Sequence, residues 1–186
     1  MASTREFGSL RHLAGRFTGA LLPHGPPDED ERWAGSQLNG GEQALWRRMS
    51  GPDRRHAVGV ARRAVADVQD SAGGTPASRE FVAAALLHDV GKVEAGLGTW
   101  TRAGVTLAAM TVSRARLVNW TTAHKSRGWR RRIGVYLTHD RVGADLLVAA
   151  GSDPFTAAWA GEHHLPPALW SVDARLGHAL KLADDD

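Results

Sequence analysis

The sequence predicts an all-α protein, and three observations carry that expectation. From Glu42 onward apolar residues recur at helical spacing, caps and prolines mark where the helices begin, and period-two alternation of β-branched residues is nowhere sustained. With 186 residues, 42% hydrophobic and 23% charged, the chain is long enough to bury a core as one domain. No internal repeat is visible.

Taken in order, Phe7 to Leu22 reads as a short amphipathic helix. Residues 23–41, "PHGPPDEDERWAGSQLNGG", are rich in proline, glycine and acid and read as a linker or mobile loop. Residues 1–41 are therefore set apart as a helix plus flexible linker, and 42–186 as the folded domain. Asp53 can cap a helix with Val60, Ala64 and Val68 on one face and His56 on the same face. Thr75-Pro76 opens the helix that carries Phe81 to His88, and Gly91 suits a left-handed turn after it. The apolar positions Val105, Ala108, Val112, Ala115 and Val118 suggest a core helix followed by a loop. His139 starts the run "HDRVGADLL", where Val142 and Leu146 continue its face and Gly143 permits close helix contact. Asp153-Pro154 caps a helix running through Trp159 to His163.

Composition removes several functions. The net charge is +3, from twenty arginines and three lysines against twenty acids, and the excess is local, at Lys125, Arg127, Arg130, Arg131 and Arg132 and at Arg54-Arg55. That is not a chain-wide trap for a polyanion, so nucleic acid is not the expected partner. The basic segment beside Trp129 fits a solvated face better than a patch for nucleotides, single strands or membrane. No cysteine occurs, so any metal must be held by nitrogen and oxygen, and a reducing cytoplasm is the compatible location. No run of eighteen apolar residues exists and the N-terminus does not look like a signal peptide, so no membrane span is expected. Oligomeric state is not indicated.

Chemistry concentrates in a few polar residues at the ends of apolar runs. "AALLHDVGK", Ala84 to Lys92, ends a greasy helix on His88 and Asp89. An unpartnered buried carboxylate costs several kcal/mol, which a cation removes. His56 lies on an apolar helix face, and "LKLADDD" puts Asp184 after an apolar run, favoured over Asp185 and Asp186. His139 heads its helix and His163-His164 close another, although each alone has a bland reading as a cap, a core histidine or an exposed residue.

Together these residues resemble the HD-domain superfamily of metal-dependent phosphohydrolases. The pattern of a histidine, a His-Asp pair and a final aspartate is matched by His56, His88-Asp89 and Asp184. His139 and His163 or His164 match the extra histidines of many members, and "LLHDVGK" and the "HxxxGxxxL" run from His139 are similar too. The likeness covers about Glu42 to the C-terminus. It implies an HD-like helical bundle with a site between helices for one or two divalent ions (Mn, Fe, Co, Ni, Mg or Zn). His56, His88, Asp89 and Asp184 would form one site, His139 and His163 would hold a second ion, and Asp89 would bridge the two. It further implies hydrolysis of a small phosphate ester or nucleotide by metal-activated water, with Asp89 and Lys92 as catalytic residues. Lys92, Arg54, Arg55 and His164 would contact substrate, although Lys92 equally suits an exposed helix end. Where cyclic-di-GMP phosphodiesterases of this superfamily follow the paired histidines with an acid and Gly-Tyr-Pro, this chain has "HHLPPALW", which disfavours that substrate. Small HD hydrolases of dinucleoside tetraphosphates and nucleotides are nearer in layout. The competing class is a non-catalytic module that binds a nucleotide or protein through the same scaffold.

Overall fold

The computed structural model describes residues 24–71, 73–74, 76–95 and 128–185, with the side chains of 129–131 left aside. Among the described residues all regular structure is helical, which agrees with the fold class expected. The eight α-helices among the described residues are α1 (Asp28–Gln37), α2 (Gly40–Arg48), α3 (Gly51–Ser71), α4 (Arg79–Leu87), α5 (Trp129–Leu137), α6 (His139–Ala149), α7 (Pro154–Glu162) and α8 (Ala174–Asp185). Short 3-10 turns cover Val90–Glu94 and Pro167–Leu169. The expected helices at Phe7–Leu22 and around Val105–Val118 lie outside the described residues, as do His124, Lys125, Arg127 and the side chains of Trp129, Arg130 and Arg131.

Helix α4 is the spine. Every residue from Phe81 to Leu87 is buried, because its neighbours α3, α7 and α1 leave it no solvent face. Full burial of a side chain such as Phe81, Leu86 or Leu87 contributes about 1.5–3 kcal/mol. Its cap is Ser78, whose hydroxyl accepts from the Phe81 amide, and not the Thr75-Pro76 pair. Thr75 lies outside the described residues, and Pro76 sits ahead of the helix. On α3, Val60, Ala64 and Val68 form the expected buried stripe. Asp53 sits inside the first turn of α3 and accepts from the Ser50 hydroxyl at 2.6 Å. Helix α7 begins as read, with Pro154 in its first turn and the Asp153 carboxylate accepting from the Phe155 amide. The buried Thr156 hydroxyl donates to the Glu80 carbonyl at 3.1 Å and fastens α7 to the start of α4.

The linker expectation for residues 23–41 is overturned. Asp28–Gln37 is a helix, and Ala34 and Leu38 are buried in the core. Four acids in its first turn complement the positive helix end, and the pattern looked like a linker because this polar start hides the apolar contacts. Glu31 ties the segment down by accepting from Trp46 Nε1 at 2.8 Å and Arg54 Nε at 2.7 Å, while Arg62 stacks on Trp33. Asn39 and Glu42 then form a reciprocal capping box that starts α2.

Gly91 works by absence of volume, not by left-handed backbone. It lies in the Val90–Glu94 turn, outside the positive-φ glycines, and a methyl there would stand 1.9 Å from the His139 carbonyl oxygen and 2.6 Å from the Gly143 amide. Gly143 faces it across the seam, as its reading for close helix contact expected. The buried face of α6 runs through His139, Gly143 and Leu147, and Val142 and Leu146 are only partly buried. Leu182 is exposed, and Leu180 and Ala183 are the buried residues beside Asp184.

Candidate metal centre

Three of the sequence-selected histidines occupy the same local position. His88 is the C-cap of α4, His163 is the C-cap of α7, and His139 follows Thr138, the C-cap of α5. The last carbonyls of a helix have no amide partner within it. Each imidazole reaches back to one of them, with His88 Nδ1 on Ala85 at 2.9 Å, His139 Nδ1 on Tyr136 at 2.6 Å and His163 Nδ1 on Ala160 at 2.9 Å. A carbonyl only accepts, so Nδ1 carries a proton, and in the neutral ring it is Nε2 that presents a lone pair. All three Nε2 atoms are buried without a hydrogen bond. Metal-bound histidines have this arrangement, one nitrogen fixed by a carbonyl and the other aimed inward.

Asp89 lies between them. Its Oδ2 is 3.5 Å from His88 Nε2, and its Oδ1 is 3.1 Å from His139 Nε2 and 3.9 Å from His163 Nε2. The two carboxylate oxygens thus face different histidines. Asp184 comes in from α8, with Oδ1 3.1 Å from His56 Nε2 and 3.6 Å from His88 Nε2. Its neighbour Asp185 is exposed and pairs with Lys181 at 3.0 Å. His56, His88 and Asp89 offer three ligand atoms within 4.8 Å of one another, and His139, His163 and His164 offer three more. The structure therefore gathers all six sequence-selected ligand candidates. It also moves His164, read as a substrate contact, into the second triad, its ring 4.0 Å from that of His163.

No family model matches the chain. Neither a curated protein nor a solved structure does.

Charge at the cluster is strongly perturbed. Burial opposes ionisation of Asp89, but the Lys92 ammonium and His88 together hold its carboxyl well below the usual range. Burial disfavours the charged form of Asp184 as well, yet His56 and His88 keep it ionised. For His88 burial pulls the pKa down, and the Asp89 and Asp184 carboxylates outweigh it to give about 9. His163 moves the other way, to about 3, because burial and the neighbouring His88 charge both oppose its protonation. Its lone pair is therefore free at neutral pH.

Lys92 reaches the cluster from the Val90–Glu94 turn with its Nζ on Asp89 Oδ2. Arg54 is engaged elsewhere, donating to Glu31 and to the Met49 carbonyl, and Arg55 donates to the His24 carbonyl. Both join α3 to the segment ahead of it. Two contributors have no sequence motif. Tyr136 stacks on His139 with ring centroids 5.8 Å apart and supplies the carbonyl that sets its tautomer. Arg63 grips the Ala183 carbonyl beside Asp184, and its position seven residues after His56, on the same helix face, was the available signal.

The donor set fits divalent metal. Imidazole and carboxylate without thiolate suit Mn, Fe, Co, Ni or Zn, and the Nε2 atoms of His88, His139 and His163 are buried around the Asp89 carboxylate.

Proposed function

We propose that this chain is a metal-dependent phosphohydrolase of the HD type, acting on a small phosphate ester or nucleotide. The observation that carries the reading is the convergence of three buried Nε2 atoms, each on a ring whose Nδ1 is fixed by a carbonyl, on the two oxygens of one buried aspartate. A pure scaffold has no physical use for such atoms, since each unsatisfied buried group costs about 1–3 kcal/mol. His56, His88, Asp89 and Asp184 would hold one ion, and His139, His163 and His164 a second, with Asp89 shared. Bound divalent ions would supply Lewis acidity, activating water and polarising a phosphoryl oxygen.

The chain's own residues do the rest. Leu86, Leu87, Val90 and Trp159 are buried beside the histidines and exclude bulk water from the back of the cluster. The open edge is formed by His56, Lys92 and His164, with side chains of His56 and Lys92 29% and 20% exposed. A substrate approaches there. The Lys92 ammonium, whose pKa rises because Asp89 outweighs the effect of burial, stays charged and can pass from the carboxylate to a phosphoryl oxygen.

Elemental analysis of the purified protein beside Asp89→Ala tests the reading, followed by a phosphomonoester, phosphodiester and nucleotide screen of the loaded protein. Metal present in the parent and lost in the variant, with phosphate release, is the expected result. Tight nucleotide binding without turnover would move the assignment to a non-catalytic binding module. Absence of metal after Mn or Fe reconstitution would overturn it.

A further inference from the structure

We infer that Arg63 is the positioning residue that holds Asp184 in the cluster, acting through the last turn of α8 and not through the ligands themselves. The inference rests on the metal-centre reading and deepens it. Asp184 is one residue from the end of α8, in a turn whose carbonyls have no amide partners within the helix. Such a turn frays unless something outside it satisfies those carbonyls. Arg63 does this from α3, its Nε at 3.1 Å and a terminal guanidinium nitrogen at 2.8 Å from the Ala183 carbonyl oxygen. The planar fork delivers both donors to one acceptor without reorientation.

The register explains why this contact bears on Asp184. His56 and Arg63 are seven residues apart on α3, two helical turns, so both face α8. His56 meets the Asp184 carboxylate at 3.1 Å, and Arg63 meets the carbonyl one residue earlier. Side chain and backbone are thus pinned separately, which fixes the direction as well as the depth of the carboxylate. Gly59, between them on α3, keeps the path of the guanidinium clear. A methyl at Gly59 would stand 3.2 Å from an Arg63 terminal nitrogen. Ala183 itself is buried.

The test is a cobalt(II) titration of the full chain, followed by visible absorption, for the parent, Arg63→Ala, Arg63→Lys, Asp184→Asn and the double variant Arg63→Ala/Asp184→Asn. Arg63→Ala should weaken one ion about tenfold, within the range for residues that orient a ligand. Arg63→Lys, keeping a single donor, should recover part of that loss. In the Asp184→Asn background Arg63→Ala should have no further effect on cobalt affinity, since the two act on one ligand. An unchanged affinity in Arg63→Ala, or the same loss with and without Asp184, would overturn the inference even if the variant melts at a lower temperature. Failure of the parent to bind cobalt would instead count against the metal-centre reading, so the two failures are told apart.

Discussion

The two halves of the cluster are built on different terms. The carboxylate half draws His56, His88, Asp89 and Asp184 from α3, α4 and α8, and it already carries internal contacts such as His56 to Asp184 at 3.1 Å. The histidine half takes His139, His163 and His164 from the ends of α5 and α7, has no carboxylate of its own, and leaves two buried lone pairs unused. One half is held together by charge and the other by helix ends. Asp89 lies between both, so on the proposed reading cation binding in either half would depend on a single side chain.

The strongest way to break this comparison is therefore Asp89→Ala. It should remove both ions, lowering metal affinity more than the roughly 10–100-fold typical of orienting residues, and phosphate release should disappear with it. Equilibrium dialysis against zinc or manganese measures this, and retention of one ion at parental affinity would show that the halves are independent.

Gly91→Ala attacks the seam between the halves. With a methyl 1.9 Å from the His139 carbonyl oxygen, the Val90–Glu94 turn must move away from α6. Overpacking of this kind costs typically about 1–3 kcal/mol, and contact with backbone puts this site at the upper end, near 3 kcal/mol. Urea denaturation of the metal-free protein gives the value, and a loss under 0.5 kcal/mol would mean that the seam yields freely.

A pH series separates the halves electrostatically. In the metal-free protein the His88 pKa is raised from 6.5 to about 9. Its contribution to stability is fully present below pH 6.5 and is lost as pH rises through 9. Metal competes with the same proton, so affinity in the carboxylate half should climb over that window while metal-free stability declines. His163, lowered to about 3, adds no such dependence above neutrality, and the histidine-half ion should vary less. Parallel slopes for the two ions would contradict the distinction.

The smallest effect is expected from His163→Leu. It removes a buried Nε2 without a hydrogen bond but also the Nδ1 bond to the Ala160 carbonyl, so metal-free stability should change by no more than about 1 kcal/mol while the histidine-half ion is lost. Destabilisation of the metal-free variant beyond that would show that the imidazole contributes packing that leucine cannot replace.

Much of this was legible in the sequence because it depends on local rules. The buried stripe on α3, the Asp153-Pro154 start of α7 and the preference for Asp184 over Asp185 follow from helical spacing and capping. The six ligand candidates were picked out because His88, Asp89, His163 and Asp184 close apolar runs, His139 heads one and His56 lies on an apolar face. What stayed hidden depends on partners far along the chain. Helix α1 looked like a linker because its acids find Arg62, Arg54 and Trp46 only in three dimensions. Arg54 and Arg55 looked available to substrate for the same reason. His164 differs from His163 by one position, and only the turn after α7 decides that both approach His139.

The helix ends that fix the imidazoles have a further consequence for the sequence of events at the site. The carboxyl ends of α4, α5, α7 and α8 converge there against the single amino end of α6, and each carboxyl end carries about half a negative charge. They add to Asp89 and Asp184 and oppose Lys92 and the protonated His88, so the backbone tilts the balance toward cations. A phosphorylated compound arriving first meets repulsion, and it gains a foothold only after that balance has been reversed. On the proposed reading, binding would thus be ordered, cation before phosphate, by the backbone itself.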